Sequence, residues 1–390
     1  MRKRVLFILS SANEDSGAAN VWKSVVGLMP KRGIEPIVVL PRAGGLKEHF
    51  ESAGIIVWVM PFFWWVKPIS GRRLTGKEEI HALIRPIESI LNGFAERRIA
   101  RLCDEDGIDL VYIFDGVIGC GAKAADSKGI PYVFHLQELL REDLGYELAD
   151  PSDAIPVLEG ASRFVAISEP VKTAWSHLAT TPCSVIYNGL PGGDERTMPI
   201  RSDLLSRETV ELVLVGNIAP HKGQLVAIEA AATLRHKLGP RNFVLSLYGK
   251  VQDRKYASLL QAKIDEYGLS GVVRIKGFCD NVEAVFSAAD IALVCSRAEA
   301  FGLVTIEAMR EGCLVVGADS GATAELLSGD RGILFSSGSS DDLADALQSA
   351  FGDPMRVRRT AERGQAFART LTAERQADQV ASLVHEVVGQ

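Results

Sequence analysis

The densest chemistry in this chain lies in the segment Ser296-Arg297-Ala298-Glu299-Ala300-Phe301-Gly302-Leu303-Val304-Thr305-Ile306-Glu307-Ala308-Met309. The β-branched run Ile291–Val294 before it predicts a strand, and the spacing after Gly302 predicts a helix. A helix that opens there points bare N–H groups outward, a ready anion site, and glycine lets a phosphate come close to the backbone. Five residues of helix carry the chain from Gly302 to Glu307, a rise of roughly 7.5 Å. That matches the step from a diphosphate to its ribose. Carboxylates accept hydrogen bonds from hydroxyl pairs, so Glu299 and Glu307 on either side of the helix start suit a sugar and a ribose. A plain βα unit with a surface glutamate and a first-turns glutamate gives the same letters, so the segment needs company.

Val215-Gly216-Asn217-Ile218-Ala219-Pro220-His221-Lys222-Gly223 supplies some. It follows a predicted strand and precedes a helix, which puts Lys222 in a phosphate-facing loop as a mobile point charge. Gly317-Ala318-Asp319-Ser320-Gly321 is a small-residue turn into another helix, expected at a site rim. Near the start, Asp15-Ser16-Gly17-Ala18-Ala19 follows the first strand in the same way. His135 ends the strand of Phe134-His135-Leu136, where a ligand-facing side chain is expected.

Positioning these groups takes a repeated βαβ scaffold. Short apolar runs (Val5–Leu9, Pro36–Leu40, Leu110–Phe114, Tyr132–His135, Phe164–Ile167, then Leu212–Gly216, Val244–Tyr248, Ile291–Val294, Leu314–Gly317) alternate with helical stretches. They are continuous, not alternating, as in parallel strands covered on both faces. The expected fold is α/β, with two doubly wound Rossmann-like domains facing a central cleft and ligands at the strand C-termini. The predicted layout is residues 1–188, a first Rossmann-like domain; 189–202, a Gly- and Pro-rich linker; 203–365, a second Rossmann-like domain that carries the Glu299 segment; and 366–390, a helix packing back on the first domain.

The 390 residues suffice for two cores, and a formal charge of −6 argues against a nucleic-acid binder. Residues 1–100 hold 15 Lys+Arg against 9 Asp+Glu, so an anionic acceptor or membrane surface fits that part. Six cysteines with no C-x-x-C pair read as buried thiols of a reducing compartment, hence a cytoplasmic protein. Met1-Arg2-Lys3-Arg4 and its apolar follower read as a first strand, not a signal peptide. The run Phe62-Phe63-Trp64-Trp65, flanked by Lys67, Arg72 and Arg73, predicts an exposed patch for a lipid-linked acceptor or the inner membrane face.

Glu299, Glu307 and the intervening Phe301-Gly302-Leu303, with the glycine–lysine element ending at Lys222-Gly223, Ile186-Tyr187-Asn188-Gly189 and Ala166-Ile167-Ser168-Glu169, resemble the pattern of family-4 retaining glycosyltransferases of GT-B fold. The likeness covers nearly the whole chain. By that resemblance Glu299 binds the transferred sugar, Glu307 the ribose, and His135 the sugar near its reacting carbon. Lys222, the Gly302 and Leu303 amides and the Gly17 loop hold the diphosphate, with Gly216 and Arg297 beside them. Gly249, Lys250, Phe278 and Val282 line the base pocket. Asn217 stands where the family usually has arginine, which removes one diphosphate cation. The resemblance implies transfer from a UDP- or GDP-linked sugar to an acceptor hydroxyl of a glycan or lipid-linked molecule, in glycan or glycolipid assembly. It implies retained configuration by same-face attack and no required cofactor.

Two other motifs have plainer readings. Asp104-Glu105-Asp106 resembles a metal-binding D-x-D but precedes Gly107 at a helix end with no strand before it, so a solvated turn is expected and no metal. Gly119-Cys120-Gly121-Ala122-Lys123-Ala124 resembles a dinucleotide fingerprint but falls at a later βα turn than such sites use, so close helix packing is expected. A nicotinamide-dependent oxidoreductase would rest on that stretch. A non-catalytic sugar-nucleotide binder would keep the fold alone.

Overall fold

The computed structural model describes residues 2–14, 17–71, 75–178, 181–192, 204–205, 207–238 and 242–389. Asp15, Ser16, Arg72, Arg73 and linker positions 193–202 lie outside the described residues. The chain divides into two compact units, Met1–Pro191 with Ala373–Gln390, and Gly192–Thr372.

In the first unit the elements run β1 (Lys3–Leu9), α1 (Gly17–Leu28), β2 (Ile34–Leu40), α2 (Gly45–Ser52), β3 (Ile56–Val59), β4 (Val66–Pro68), α3 (Gly76–Glu105), β5 (Leu110–Phe114), α4 (Cys120–Asp126), β6 (Tyr132–Leu136), β7 (Tyr146–Leu148), α5 (Pro151–Glu159), β8 (Arg163–Ala166), α6 (Glu169–Trp175) and β9 (Cys183–Val185). Seven strands form one parallel sheet in the order β3-β2-β1-β5-β6-β8-β9. β5 and β6 are buried at every position, which explains their unbroken apolar sequence. The antiparallel pair β4–β7 escaped the sequence reading because three residues are too few to show a period. The first helix begins at Gly17 and ends at Leu28, because Pro30 falls in a following 3-10 turn. α3 starts at Gly76 behind a reciprocal cap: Thr75 Oγ1 accepts from the Glu78 N–H, and the Glu78 carboxylate accepts from the Thr75 N–H at 2.7 Å.

The second unit continues with β10 (Thr209–Val215), α7 (Gln224–Leu238), β11 (Asn242–Tyr248), α8 (Arg254–Glu266), β12 (Val273–Gly277), α9 (Val282–Ala288), β13 (Ile291–Val294), α10 (Leu303–Arg310), β14 (Leu314–Ala318), α11 (Gly321–Leu327), β15 (Ile333–Phe335), α12 (Ser340–Gly352) and α13 (Pro354–Arg369). Its six strands are parallel in the order β12-β11-β10-β13-β14-β15. The core gathers Leu212, Leu245, Ile291 and Leu314 from the central strands with Ile228, Leu234 and Leu343 from the helices.

The last helix, α14 (Ala373–Gly389), belongs to the first unit. It packs on α1. The Arg32 guanidinium donates to the Asp378 carboxylate at 2.7 Å, and Arg163 to Glu386 at 2.8 Å. Buried Gln376 accepts from the Gly189 N–H at 2.9 Å and donates to the Asn188 side chain at 3.0 Å. Asn188-Gly189 is thus clamped by the end of the chain.

Candidate active site

In the second unit, β10, β11 and β12 end side by side and their loops are stapled together. The Gly216 N–H donates to the Tyr248 carbonyl (2.9 Å), Ile218 N–H to Lys250 (2.9 Å) and Gly249 N–H to Gly277 (2.8 Å). The contact is so close that a Cβ on Gly249 would lie 1.9 Å from the Gly216 carbonyl oxygen. Glycine is required there for the close approach. Lys250 lies over the Phe278 ring at 4.5 Å, and both are exposed, with Val282 starting α9 just beyond. Those are the expected base-side residues, and they share one edge of the sheet.

Lys222 ends a short 3-10 turn after β10, and its Nζ donates to Glu299 Oε1 at 2.6 Å. Both side chains are mostly covered, at 25% and 12% exposure. The pair therefore feels a weaker dielectric than a surface bridge, and its charges stay available to one another. Glu299 is held by its backbone from two sides. The Ala322 N–H donates to its carbonyl at 2.9 Å, and the neighbouring Arg297 N–H donates to His221 at 3.1 Å. A Cβ on Gly321 would lie 2.6 Å from that same Glu299 oxygen, and Gly321 has φ +50°. The small-residue turn after β14 thus exists so that the Glu299 loop can rest on it. Arg297 itself is exposed, and the Asn217 carbonyl accepts from Gln224 at 2.8 Å.

Gly302, at φ 84°, caps α10 without any side chain accepting from the helix's first amides. The first turn contains no acidic residue. The Thr305 hydroxyl, fully buried in that turn, has no hydrogen-bond partner. Phe301 is buried and pins the loop, while Leu303 is half-buried at the first helical position. An uncapped positive helix end beside a lysine is an electrostatic seat for an anion. Glu307 follows in the second turn of α10 and is half-buried. Burial raises its pKa, the nearby Arg310 lowers it, and Glu283 raises it further. Buried Arg310 is bridged in turn to Glu283 at 2.9 Å.

The first unit presents a different rim. His135 is wholly buried, its Nδ1 3.0 Å from the Tyr112 hydroxyl and its ring stacked on Phe114 with centroids 5.1 Å apart. Burial pushes its pKa down to about 3, so the imidazole is neutral at physiological pH. Its Nε2 has no partner. Beside it in the sheet, Asp115 follows β5 with φ 101° and donates its N–H to the His135 carbonyl at 3.1 Å. Its carboxylate accepts from the Ser10 hydroxyl at the end of β1 and is hydrogen-bonded to the Glu138 carboxyl. Burial and the like charge of Asp115 raise Glu138 well above the usual carboxylate range, and burial pushes Asp115 up to about 6. Two anions would repel, so one shared proton makes this pair. Sequence reading missed both acids. The signal was available, since Asp115 ends its strand just as His135 does. Gly17 opens α1 and is exposed.

The aromatic run corrects an expectation. Phe62 is buried, and Trp65 donates its indole N–H to the Gly116 carbonyl at 2.8 Å while stacking on Phe134. Phe63 exchanges backbone hydrogen bonds with the Asn92 amide. Only Trp64 of the four is exposed, at 42%. The rings fill the interior under α3, so Phe62–Trp65 is no continuous surface patch. The fingerprint glycines have a packing cause: a Cβ on Gly119 would strike the Trp65 ring at 2.2 Å, and one on Gly121 would lie 2.7 Å from Ile8. Asp104 pairs with Lys128 and Asp106 closes α3.

Residues 200–367 match the family described as Glycosyl transferases group 1. The fold is that of the GT-B glycosyltransferases. Crystal structures of Anabaena HepE with bound UDP share it at a TM-score of 0.76 and 23% identity over 98% of this chain and 100% of that one. A glycosyltransferase from Rickettsia africae does so at 0.77 and 15% identity over 99% of both chains. The D-inositol 3-phosphate glycosyltransferase of Corynebacterium glutamicum is 31% identical over 206 residues, 51% of this chain and 49% of that one. The chain spans about half the length of the curated relatives it matches.

Proposed function

We propose that this protein is a retaining glycosyltransferase that moves a hexosyl group from a uridine-diphosphate sugar to an acceptor hydroxyl, in glycan or glycolipid assembly. The observation that carries this reading is the Lys222–Glu299 pair, 2.6 Å apart beside the uncapped start of α10. Cation, helix start and carboxylate stand together, an arrangement suited to a diphosphate and its sugar. In use, the diphosphate draws Lys222 and the α10 amides, and Glu299 turns its oxygens to the sugar hydroxyls. The bond from the anomeric carbon to the phosphate oxygen breaks on the face where the acceptor oxygen bonds. The acceptor's proton passes to the departing phosphate, and UDP leaves. No residue on the opposite face is needed as a nucleophile, and the proton needs no carboxylate base.

Uridine as the base is supported by HepE, whose structures hold UDP and UDP-glucose. A polyhydroxylated acceptor such as an inositol phosphate or a sugar is supported by the curated relatives' names. The test is calorimetric titration with UDP, GDP and their glucose conjugates, followed by NMR of the product's anomeric centre. UDP binding lost in Lys222→Ala, with an α-linked product from an α-linked donor, is the expected result. GDP preference, or an inverted product, would refute the corresponding part.

A further inference from the structure

Helix α3 carries an apolar stripe that its own unit does not cover. Ile80, Leu83, Ile87, Ile90 and Phe94 are between 58% and 82% exposed. Their spacing is three, four, three, four: the period of 3.5 residues that defines a helix–helix seam. The stripe runs roughly 21 Å along the helix. Its five side chains offer on the order of 600 Å² of apolar surface, at the top of what a monomer ordinarily exposes and near the ~800 Å² each partner buries in a stable complex. The opposite face of α3, with Ala95 and Ile99, is buried in the unit. Stability of this unit therefore does not explain the outer stripe.

We infer that α3 is a self-association face, on which two copies of this chain pair through antiparallel α3 helices. Charge decides both the occupant and the direction. The acids Glu78 and Glu79 lie in the first turn of α3, while Arg97, Arg98 and Arg101 lie near its end. Antiparallel packing in which a and d positions alternate sets Ile87 against Ile90 of the second copy and Leu83 against Phe94. It then brings Glu79 to Arg98 at both ends. Parallel packing would stack like charges at each end. A lipid surface is the poorer match: interfacial helices flank a broad apolar face with Lys and Arg, whereas α3 holds six acidic and five basic residues. Arg97 already lies over the Phe94 ring at 5.9 Å, where its stem can extend the seam past Phe94.

Sedimentation velocity of the full chain tests this. The wild type, 42.2 kDa as a monomer, should sediment at twice that mass at micromolar concentration. Ile87→Asp should raise the dimer Kd about 100-fold or more while UDP affinity and the circular dichroism spectrum stay unchanged. Arg98→Glu and Glu79→Arg should each weaken the dimer, and the two together should restore it. A wild type that is monomeric at 100 µM would overturn the proposal. So would a monomer that co-sediments with phosphatidylglycerol vesicles through this stripe. A dimer indifferent to the charge exchange would overturn the antiparallel arrangement.

Discussion

Both sheets end in a polar rim, yet the two rims treat charge in opposite ways. In the second unit Lys222 and Glu299 remain a partly exposed ion pair, and α10 opens on Gly302 without a side-chain cap. In the first unit burial sheds charge at the strand ends: His135 loses its proton, and the Asp115–Glu138 pair keeps one, so a single negative charge remains among the three. Burial costs are low for a group that has surrendered its charge and high for one that has not. In the proposed reaction the second rim takes an anion that supplies counter-charge on arrival.

Removing charge from the second rim should have the largest effect. Glu299→Ala and Lys222→Ala should each reduce turnover about 1,000-fold, or ~4 kcal/mol of transition-state stabilisation. Lys222→Ala should also weaken UDP binding, because it leaves Glu299 as an uncompensated negative charge beside the diphosphate. Glu299→Ala should leave UDP binding nearly intact and fail with the sugar conjugate. Initial-rate kinetics and calorimetry on the same preparations separate these outcomes, and unchanged turnover in both would break the site assignment.

Moving the carboxylate without removing it comes next. Gly321→Ala adds a Cβ 2.6 Å from the Glu299 carbonyl at a backbone φ of +50°, so the Glu299 loop must shift. A displacement of about 1 Å typically costs ~100-fold in rate. We expect that loss in kcat with KM for the donor changed far less. Asn217→Arg tests the rim in the opposite direction. A second cation beside the diphosphate should tighten UDP binding roughly tenfold, the value of one charge-assisted hydrogen bond. Calorimetry would show it, and no change would mean position 217 faces away from the phosphates.

The second rim was legible in sequence because it depends on chemistry that local pattern displays. Strand, glycine and helix follow in order, with Lys222 and Glu299 at fixed offsets. What the pattern did not show was long-range: Gly321 was an anonymous small-residue turn until its contact with Glu299 gave it a purpose. The first rim was less legible. His135 drew attention as a strand-end polar residue, but its burial depends on Tyr112 and Phe114 from the neighbouring strand. Asp115 and Glu138 lie 23 residues apart in sequence, and only the adjacency of β5 and β6 makes them one group. The aromatic run Phe62–Trp65 was misjudged for the same reason. Composition shows four rings but not that α3 and β6 provide the interior to hold most of them.

The smallest effect concerns the shared proton of the first rim, and it has a definite sign. Asp115 holds its proton to about 6, against 3.8 for an ordinary aspartate. The folded state therefore binds more protons than the unfolded chain between those values, and the contribution of Asp115 to stability is full below about pH 4 and lost as pH rises through 6. Buried His135 works the other way: the unfolded imidazole protonates near 6.5 and the folded one near 3, so stability falls as pH drops below 6.5. Glu138→Gln leaves the histidine term untouched, so it cancels in the comparison with wild type. The amide donates permanently what the shared proton supplied, and it removes the repulsion. The variant should gain about 1–3 kcal/mol relative to wild type at pH 8 and much less at pH 5. All five tryptophans lie between residues 22 and 175, so fluorescence during urea unfolding reports on the first unit alone. Equal differences at the two pH values would mean that Asp115 and Glu138 do not share a proton, and the contrast between the rims would rest on His135 alone.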